Sequence, residues 1–161
     1  MKLFLLRHAK STWDVFENDH DRELSERGYQ DAHNLAAFIE SRQITFQKIF
    51  CSTSKRTRET LKILKANTSN SIKDIEYKKE LYHASEFIMK DIIEGISVKS
   101  LLIVSHNPGI SDLISYLSGS QAYNFPTCVF ASFDMGEKSI DEGVKTDFVV
   151  RPKDGKIVDL I

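Results

Sequence analysis

Two histidines and two arginines stand just past short apolar runs, where a strand would deliver them to one edge of a sheet. Arg7-His8 follows Leu3 to Leu6, and Arg56 lies within Ser52-Thr53-Ser54-Lys55-Arg56 after Ile49-Phe50-Cys51. Ser105-His106-Asn107 follows Ser100 to Val104. Arginine is permanently cationic and matches phosphate oxygens with a planar fork. A neutral imidazole is a competent nucleophile, and a second one can donate to an oxygen as charge builds during transfer. The set suits phosphoryl transfer through a phosphohistidine. A metal is not expected, because the arginines would repel a cation and no carboxylate accompanies them by motif. No organic cofactor is implied either.

These residues need a scaffold, and the chain is long enough to build one. Its 161 residues fit a single domain, 1–161, by the prior of about 150 residues per domain. Apolar residues are 41% and charged residues 28%, an ordinary soluble composition that excludes general disorder. Lys and Arg total 22 against 23 Asp and Glu, so the net charge is −1. No global basic field exists to hold nucleic acid or an anionic membrane, and any anion site must be local. No apolar run approaches the ~20 residues of a membrane span. Met1 to Leu6 lacks a cleavage site and reads as a strand, not a leader. Cys51 and Cys128 form neither a disulfide framework nor a metal spacing; buried thiols in a reducing, cytoplasmic compartment are expected.

Short apolar runs alternate with helical patterns, the signature of an α/β domain. Strands are expected at Leu3–Leu6, Ile49–Cys51, Ile75–Tyr77 and Ser100–Val104. A polar loop from Ala9 to about Leu24 carries Asp14, Glu17, Asp19 and Asp21. Ser25 caps a helix to about Arg42 with Tyr29, Ala32, Ala36 and Ile39 on one face. Leu61 and Leu64 mark a second helix, and Asn67 to Asp74 is a polar connection. A third helix opens at Ser85 or Glu86 with Ile88, Ile92 and Ile96 in helical register. A fourth starts at Asn107-Pro108-Gly109 and turns Ile110, Leu113, Ile114 and Leu117 inward. Val129–Phe133 and Asp147–Val150 can pair antiparallel. The expected architecture is three-layer α/β/α, a mostly parallel central sheet with one antiparallel strand.

The motifs resemble a known family. Leu6-Arg7-His8-Ala9-Lys10 is similar to the Arg-His signature of the histidine phosphatase (phosphoglycerate-mutase-like) superfamily. Ser52 to Thr60 resembles its second motif, and Val104-Ser105-His106-Asn107-Pro108 its Gly-His-Asn element, with Ser105 in place of Gly. Leu24-Ser25-Glu26-Arg27-Gly28, Leu81-Tyr82-His83-Ala84 and Phe148 to Asp154 narrow the resemblance to SixA-type phosphohistidine phosphatases. It runs nearly end to end. It implies a phosphoglycerate-mutase-like fold, His8 as nucleophile, and Arg7, Arg56 and His106 as phosphate ligands. Arg58 is a rival to Arg56, but two residues along a helix lie on nearly opposite faces.

Larger relatives use a Glu as general acid shortly after the third strand. The matching stretch here puts His83 near that position, flanked by Glu80 and Glu86, while Asp19 or Asp21 could reach in from the first loop. A phosphohistidine substrate leans less on an enzyme-supplied acid, since an imidazole leaves readily once its other nitrogen is protonated. The chain is too short for a segment that roofs the pocket, so the mouth should be open to a phosphorylated protein side chain or a small phosphoester. A small-molecule phosphomonoesterase and a non-catalytic phosphate-binding module are the alternatives. Trp13 either covers the site or packs its loop down. His20 and His33 read as surface residues, and Arg22 and Arg151 as partners of surface acids.

Overall fold

Side chains alternate across a strand, and here the alternation decides which helical layer each strand residue meets. The computed structural model describes residues 1–13, 16–69, 74–122, 124–136 and 139–161. In β1 (Lys2–Arg7), Leu3 and Leu5 face one layer, and Phe4 and Leu6 the other. In β4 (Ser100–Ser105), Leu101 and Ile103 join the first set, and Leu102 and Val104 the second. The first set packs against α3 (Glu86–Glu94) and α4 (Gly109–Ser118). The second packs against α1 (Glu26–Ser41) and α2 (Lys55–Ala66). The result is the expected α/β/α sandwich.

With β2 (Lys48–Ser52), β3 (Ile75–Lys78), β5 (Phe130–Asp134), β6 (Lys145–Lys153) and β7 (Lys156–Asp159), the sheet order is β3-β2-β4-β1-β5-β6-β7. β3, β2, β4 and β1 pair in parallel, whereas β5, β6 and β7 pair antiparallel in succession. Five strands therefore share one direction; β5 is the expected reversed strand, and β7 is a second. Asp154 (φ 50°) and Gly155 (φ 76°) turn β6 into β7, the Asp-Gly hairpin turn that Lys153-Asp154-Gly155-Lys156 spells in the sequence.

Serine side chains cap three helices at their starts: Ser25, Ser54 and Ser85 accept from the backbone amides of Gly28, Thr57 and Ile88. Two inward faces differ from expectation. In α1 the buried stripe is Gly28, Asp31, Ala32, Leu35, Ala36 and Ile39, while Tyr29 is exposed. Gly28 rather than Tyr29 takes the inward place because the chain at Lys10 runs directly against it. In α3, Met89 and Ile93 are buried, and the expected Ile88–Ile92–Ile96 line flanks them. Asp14 and residues 70–73 of the polar connection lie outside the described residues. Among the described residues, no helix is long and apolar enough to cross a membrane.

Candidate active site

β1, β2 and β4 end side by side, with Arg7 opposite Ser105 and Cys51 opposite Val104. Their loops all leave at the carboxyl edge of the sheet, where open α/β sheets hold ligands. The backbone after β1 is tied at each step. His8 N–H donates to Ser105 O (3.2 Å), and His8 O accepts from Cys128 N–H (3.1 Å). Ala9 N–H donates to Thr60 Oγ1 (3.1 Å), whose hydroxyl donates to Arg56 O (2.8 Å). Lys10 O accepts from Ser25 N–H (2.9 Å) and Ser25 Oγ (3.1 Å). Both neighbouring helices thus hold the His8 loop.

Arg56 joins the two histidines. Its Nε donates to His8 Nε2 (3.3 Å), and its Nη2 to His106 Nδ1 (3.2 Å). Ala9 O can only accept, so the proton of His8 sits on Nδ1 (2.7 Å), and the lone pair of Nε2 accepts from Arg56 Nε. A guanidinium can only donate, so His106 Nδ1 accepts from Arg56 Nη2 and the ring proton sits on Nε2, which donates to Ser52 Oγ (2.7 Å). The two rings lie 5.2 Å apart, centre to centre. Burial, reinforced by the charges of Arg56, Arg7 and Arg22, pushes His8 down to about 3. Burial also pushes His106 down to about 2, with His8 and Arg56 adding to it. Both imidazoles are therefore neutral at pH 7.

These residues border a cavity of about 310 Å³ that His83 also lines. Arg7 Nη1 donates to Phe125 O (2.8 Å), whereas its buried Nε has no hydrogen-bond partner among the described residues. Arg56 is 4% exposed, whereas Arg58 points outward into a separate groove, so α2 resolves the rivalry as its geometry requires. His83 is exposed, has φ 63° and packs its ring 3.9 Å from that of Tyr82. Glu80, Glu86 and Asp21 do not line the cavity.

Asp19 is the carboxylate that motif reasoning left among several. Its Oδ2 accepts from Arg56 Nη2 (3.1 Å) and Tyr82 OH (2.5 Å), and its Oδ1 from Arg22 Nε (3.1 Å). Its backbone O accepts from Arg56 Nη1 (2.6 Å). Burial pushes this carboxyl up, but the Tyr82 hydroxyl and the Arg56 charge outweigh it and hold the group at about 2. Arg22 does pair with an acid, yet it is 8% exposed and borders the cavity; it belongs to the site, not to the general surface. His20 is half-buried beside it, 3.0 Å from Thr53 Oγ1, while His33 is exposed. Only spacing within the polar loop distinguishes Asp19 and Arg22 in the sequence, and spacing in a loop carries no period to read.

A sheet edge that presents an unprotonated imidazole among arginines suits an α/β protein that handles phosphoryl groups. The chain belongs to the histidine phosphatase superfamily (branch 1), which it matches over residues 3–85. An uncharacterized protein of Mycobacterium leprae is 36% identical over 126 residues, 74% of either chain. Among solved structures, the SixA protein of Agrobacterium tumefaciens superposes with TM-score 0.81 at 27% identity, over 94% of this chain and 98% of that one. The protein histidine phosphatase SixA complexed with tungstate gives TM-score 0.77 at 20% identity, over 92% and 96%. Family and site together make this protein a phosphatase with a phosphoglycerate-mutase-like fold.

Proposed function

We propose that the protein is a metal-independent phosphohistidine phosphatase, one catalytic domain acting in the cytoplasm on a phosphorylated protein. The observation that carries this reading is the unprotonated Nε2 of His8, whose lone pair accepts from Arg56 Nε at 3.3 Å and becomes available once that guanidinium turns to the phosphoryl oxygens. A nucleophile and a cation stand side by side. In the first step His8 Nε2 attacks phosphorus in line, a P–N bond to His8 forms, and the substrate's P–N bond breaks. Arg7, Arg56 and His106 hold the non-bridging oxygens; the orphan Arg7 Nε supports its part in this. The incoming phosphoryl group displaces Asp19 from Arg56. As Arg56 Nη2 turns from His106 Nδ1 to the phosphoryl oxygens, the negative charge favours uptake of a proton from water onto Nδ1, which then donates to an oxygen.

The departing imidazole is protonated on its other nitrogen, so it takes the electron pair of the P–N bond and leaves as a neutral ring. His83 is the side chain at the cavity that stands at the acid position, whereas Asp19 is ionised in the resting enzyme. In the second step water attacks phosphorus, the bond to His8 breaks, and hydrogen phosphate leaves. The arginines supply the positive charge that a metal gives elsewhere. The likeness to a SixA that binds tungstate, an oxyanion of phosphate shape, supports the same reading.

Phosphoenzyme trapping tests it. Wild type, His8→Ala and His106→Ala are incubated with labelled phosphoramidate or a phosphohistidine peptide and quenched in base. A base-stable, acid-labile label is expected in wild type and not in His8→Ala. A label that survives in His8→Ala would mean a different nucleophile. Turnover of alkyl phosphomonoesters faster than the phosphohistidine peptide would favour a small-molecule phosphatase, and no label from any donor a binding module.

A further inference from the structure

We propose that Trp13 is the leaving-group platform of this site, its open face stacking on the planar ring attached to the phosphoryl group. The proposal rests on the cavity being a phosphoryl-transfer site and names what lies beyond the phosphate. Trp13 is the one tryptophan of the chain, and it is 80% exposed. Its place singles it out rather than its exposure: Phe16 and Phe87 are open too, but of the exposed large hydrophobic side chains among the described residues Trp13 alone lines the His8 cavity. It stands on the rim of the His8 cavity, beside Ser11 and Arg22.

The residues that lead into the indole are tied down. Ser11 bridges Leu24, and Thr12 N–H donates to Glu23 O (2.9 Å) just before the indole. The Arg22 guanidinium lies 4.1 Å from the ring centre. Arg22 is itself fixed, its Nε and Nη2 on Asp19 Oδ1 at 3.1 and 3.0 Å and its Nη1 on Thr12 O at 3.3 Å. Asp19 in turn grips Arg56. An unbroken chain of contacts therefore sets the indole relative to the oxyanion-binding arginines. A platform fixed in this way loses little conformational freedom when it binds.

The chemistry of the platform selects its occupant. An indole face attracts planar rings and, more strongly, planar cations. A phosphohistidine protonated on its far nitrogen presents a planar, cationic ring until the P–N bond breaks, and then leaves as a neutral ring that is still planar. An alkyl alcohol is neither. Trp13 thereby favours a ring-bearing leaving group over a phosphoryl donor of equal charge without one.

Because Trp13 is the chain's one tryptophan, its emission reports the contact directly. Wild type, Trp13→Ala and Trp13→Phe are titrated with phenylphosphonate and methylphosphonate, two non-hydrolysable probes of the same anionic group. In wild type the phenyl probe alone should shift Trp13 emission and should bind about tenfold tighter by calorimetry, as expected for one aromatic stack. Trp13→Ala should bring that ratio to about one, and Trp13→Phe should keep most of it. Equal binding of both probes to wild type, or a ratio that survives in Trp13→Ala, overturns the proposal. A turnover arm compares a phosphohistidine peptide with phosphoramidate, which has the same P–N bond and no ring; the ratio of kcat/KM values should fall in Trp13→Ala. If wild type hydrolyses neither donor, the phosphatase reading fails, and the phosphonate arm still decides the platform.

Discussion

At the scale of single residues, the resting site is a competition for Arg56. Asp19 occupies the guanidinium that the proposed mechanism assigns to the phosphoryl group, and Tyr82 holds the carboxylate there. Removing the charge while keeping the shape should make the site more receptive. Asp19→Asn is expected to tighten tungstate or inorganic phosphate binding by roughly three- to tenfold, the modest scale of a partly exposed ion pair. Calorimetric titration checks this, and weaker binding in the variant would contradict it. The histidines give a second expectation. Their folded pKa values, about 3 for His8 and about 2 for His106, lie below the free imidazole value near 6.5. Between those limits the unfolded chain binds more protons than the folded one, so stability is full above about pH 6.5 and falls as pH drops towards 3. At pH 5 each histidine should cost on the order of 1–2 kcal/mol relative to pH 7. Urea unfolding of wild type and of His106→Asn at both pH values tests the sign. The loss on acidification should be smaller in the variant. Asp19, held at about 2 against an ordinary value of 3.8, keeps its contribution down to about pH 4 and loses it between there and pH 2, so it does not contribute to the change between pH 7 and pH 5. The four motif residues were legible because strands end at fixed points and deliver the next residue to a known edge. Asp19, Arg22 and Tyr82 were less so, since a loop partner is fixed by tertiary approach and not by spacing.

At the scale of elements, what matters is how the helices hold the His8 loop. A Cβ built on Gly28 would fall 2.0 Å from Lys10 O, and one on Gly109 would fall 2.1 Å from Ala84 O. Both are backbone atoms that cannot swing aside. Gly28 thus lets the first turn of α1 meet the loop two residues after His8, where Ser25 already binds the same carbonyl. Gly28→Ala should push Lys10 away, with a cost of about 2–4 kcal/mol in stability and a slower phosphoenzyme rate. Denaturant midpoints and single-turnover labelling measure the two effects; a variant as stable and fast as wild type would mean the loop yields freely. This close approach also explains why the helical pattern misled at Tyr29. Periodicity finds the buried stripe to within one position, and a glycine on that stripe has no side chain to announce itself. In α3 the same one-position uncertainty separates Ile88 from Met89, because apolar residues flank the true stripe on both sides. Strand cores and serine caps, by contrast, were legible because each is a local event.

At the scale of the whole molecule, charge is arranged against the average. A chain with net charge −1 gathers Arg7, Arg22 and Arg56 at the carboxyl edge of one sheet. Topology makes this possible: β1 is central, β4 and β5 flank it, and the residues that follow β1, β2 and β4 therefore share a single rim. The order β3-β2-β4-β1 could not be read from apolar runs, which reveal strands but not neighbours, and the Asp154-Gly155 hairpin that adds β7 was a short signal in a polar stretch. Yet the site did not depend on knowing the order, since any parallel arrangement sends these loops to the same edge. The same gathering of cations leads to the final prediction. Three guanidinium groups beside two neutral imidazoles oppose a divalent cation electrostatically, and the Asp19 carboxylate is already spent on Arg56 and Arg22. Exhaustive dialysis against a chelator should leave the rate of phosphoenzyme formation unchanged, and added Mg²⁺ or Zn²⁺ should not raise it. Arg56→Ala, which removes the charge nearest His8, should instead lower that rate by 10²-fold or more, on the order of the loss of one transition-state donor. A several-fold drop on chelation, restored by a metal, would transfer the role of charge neutralisation from the arginines to an ion and overturn the mechanism.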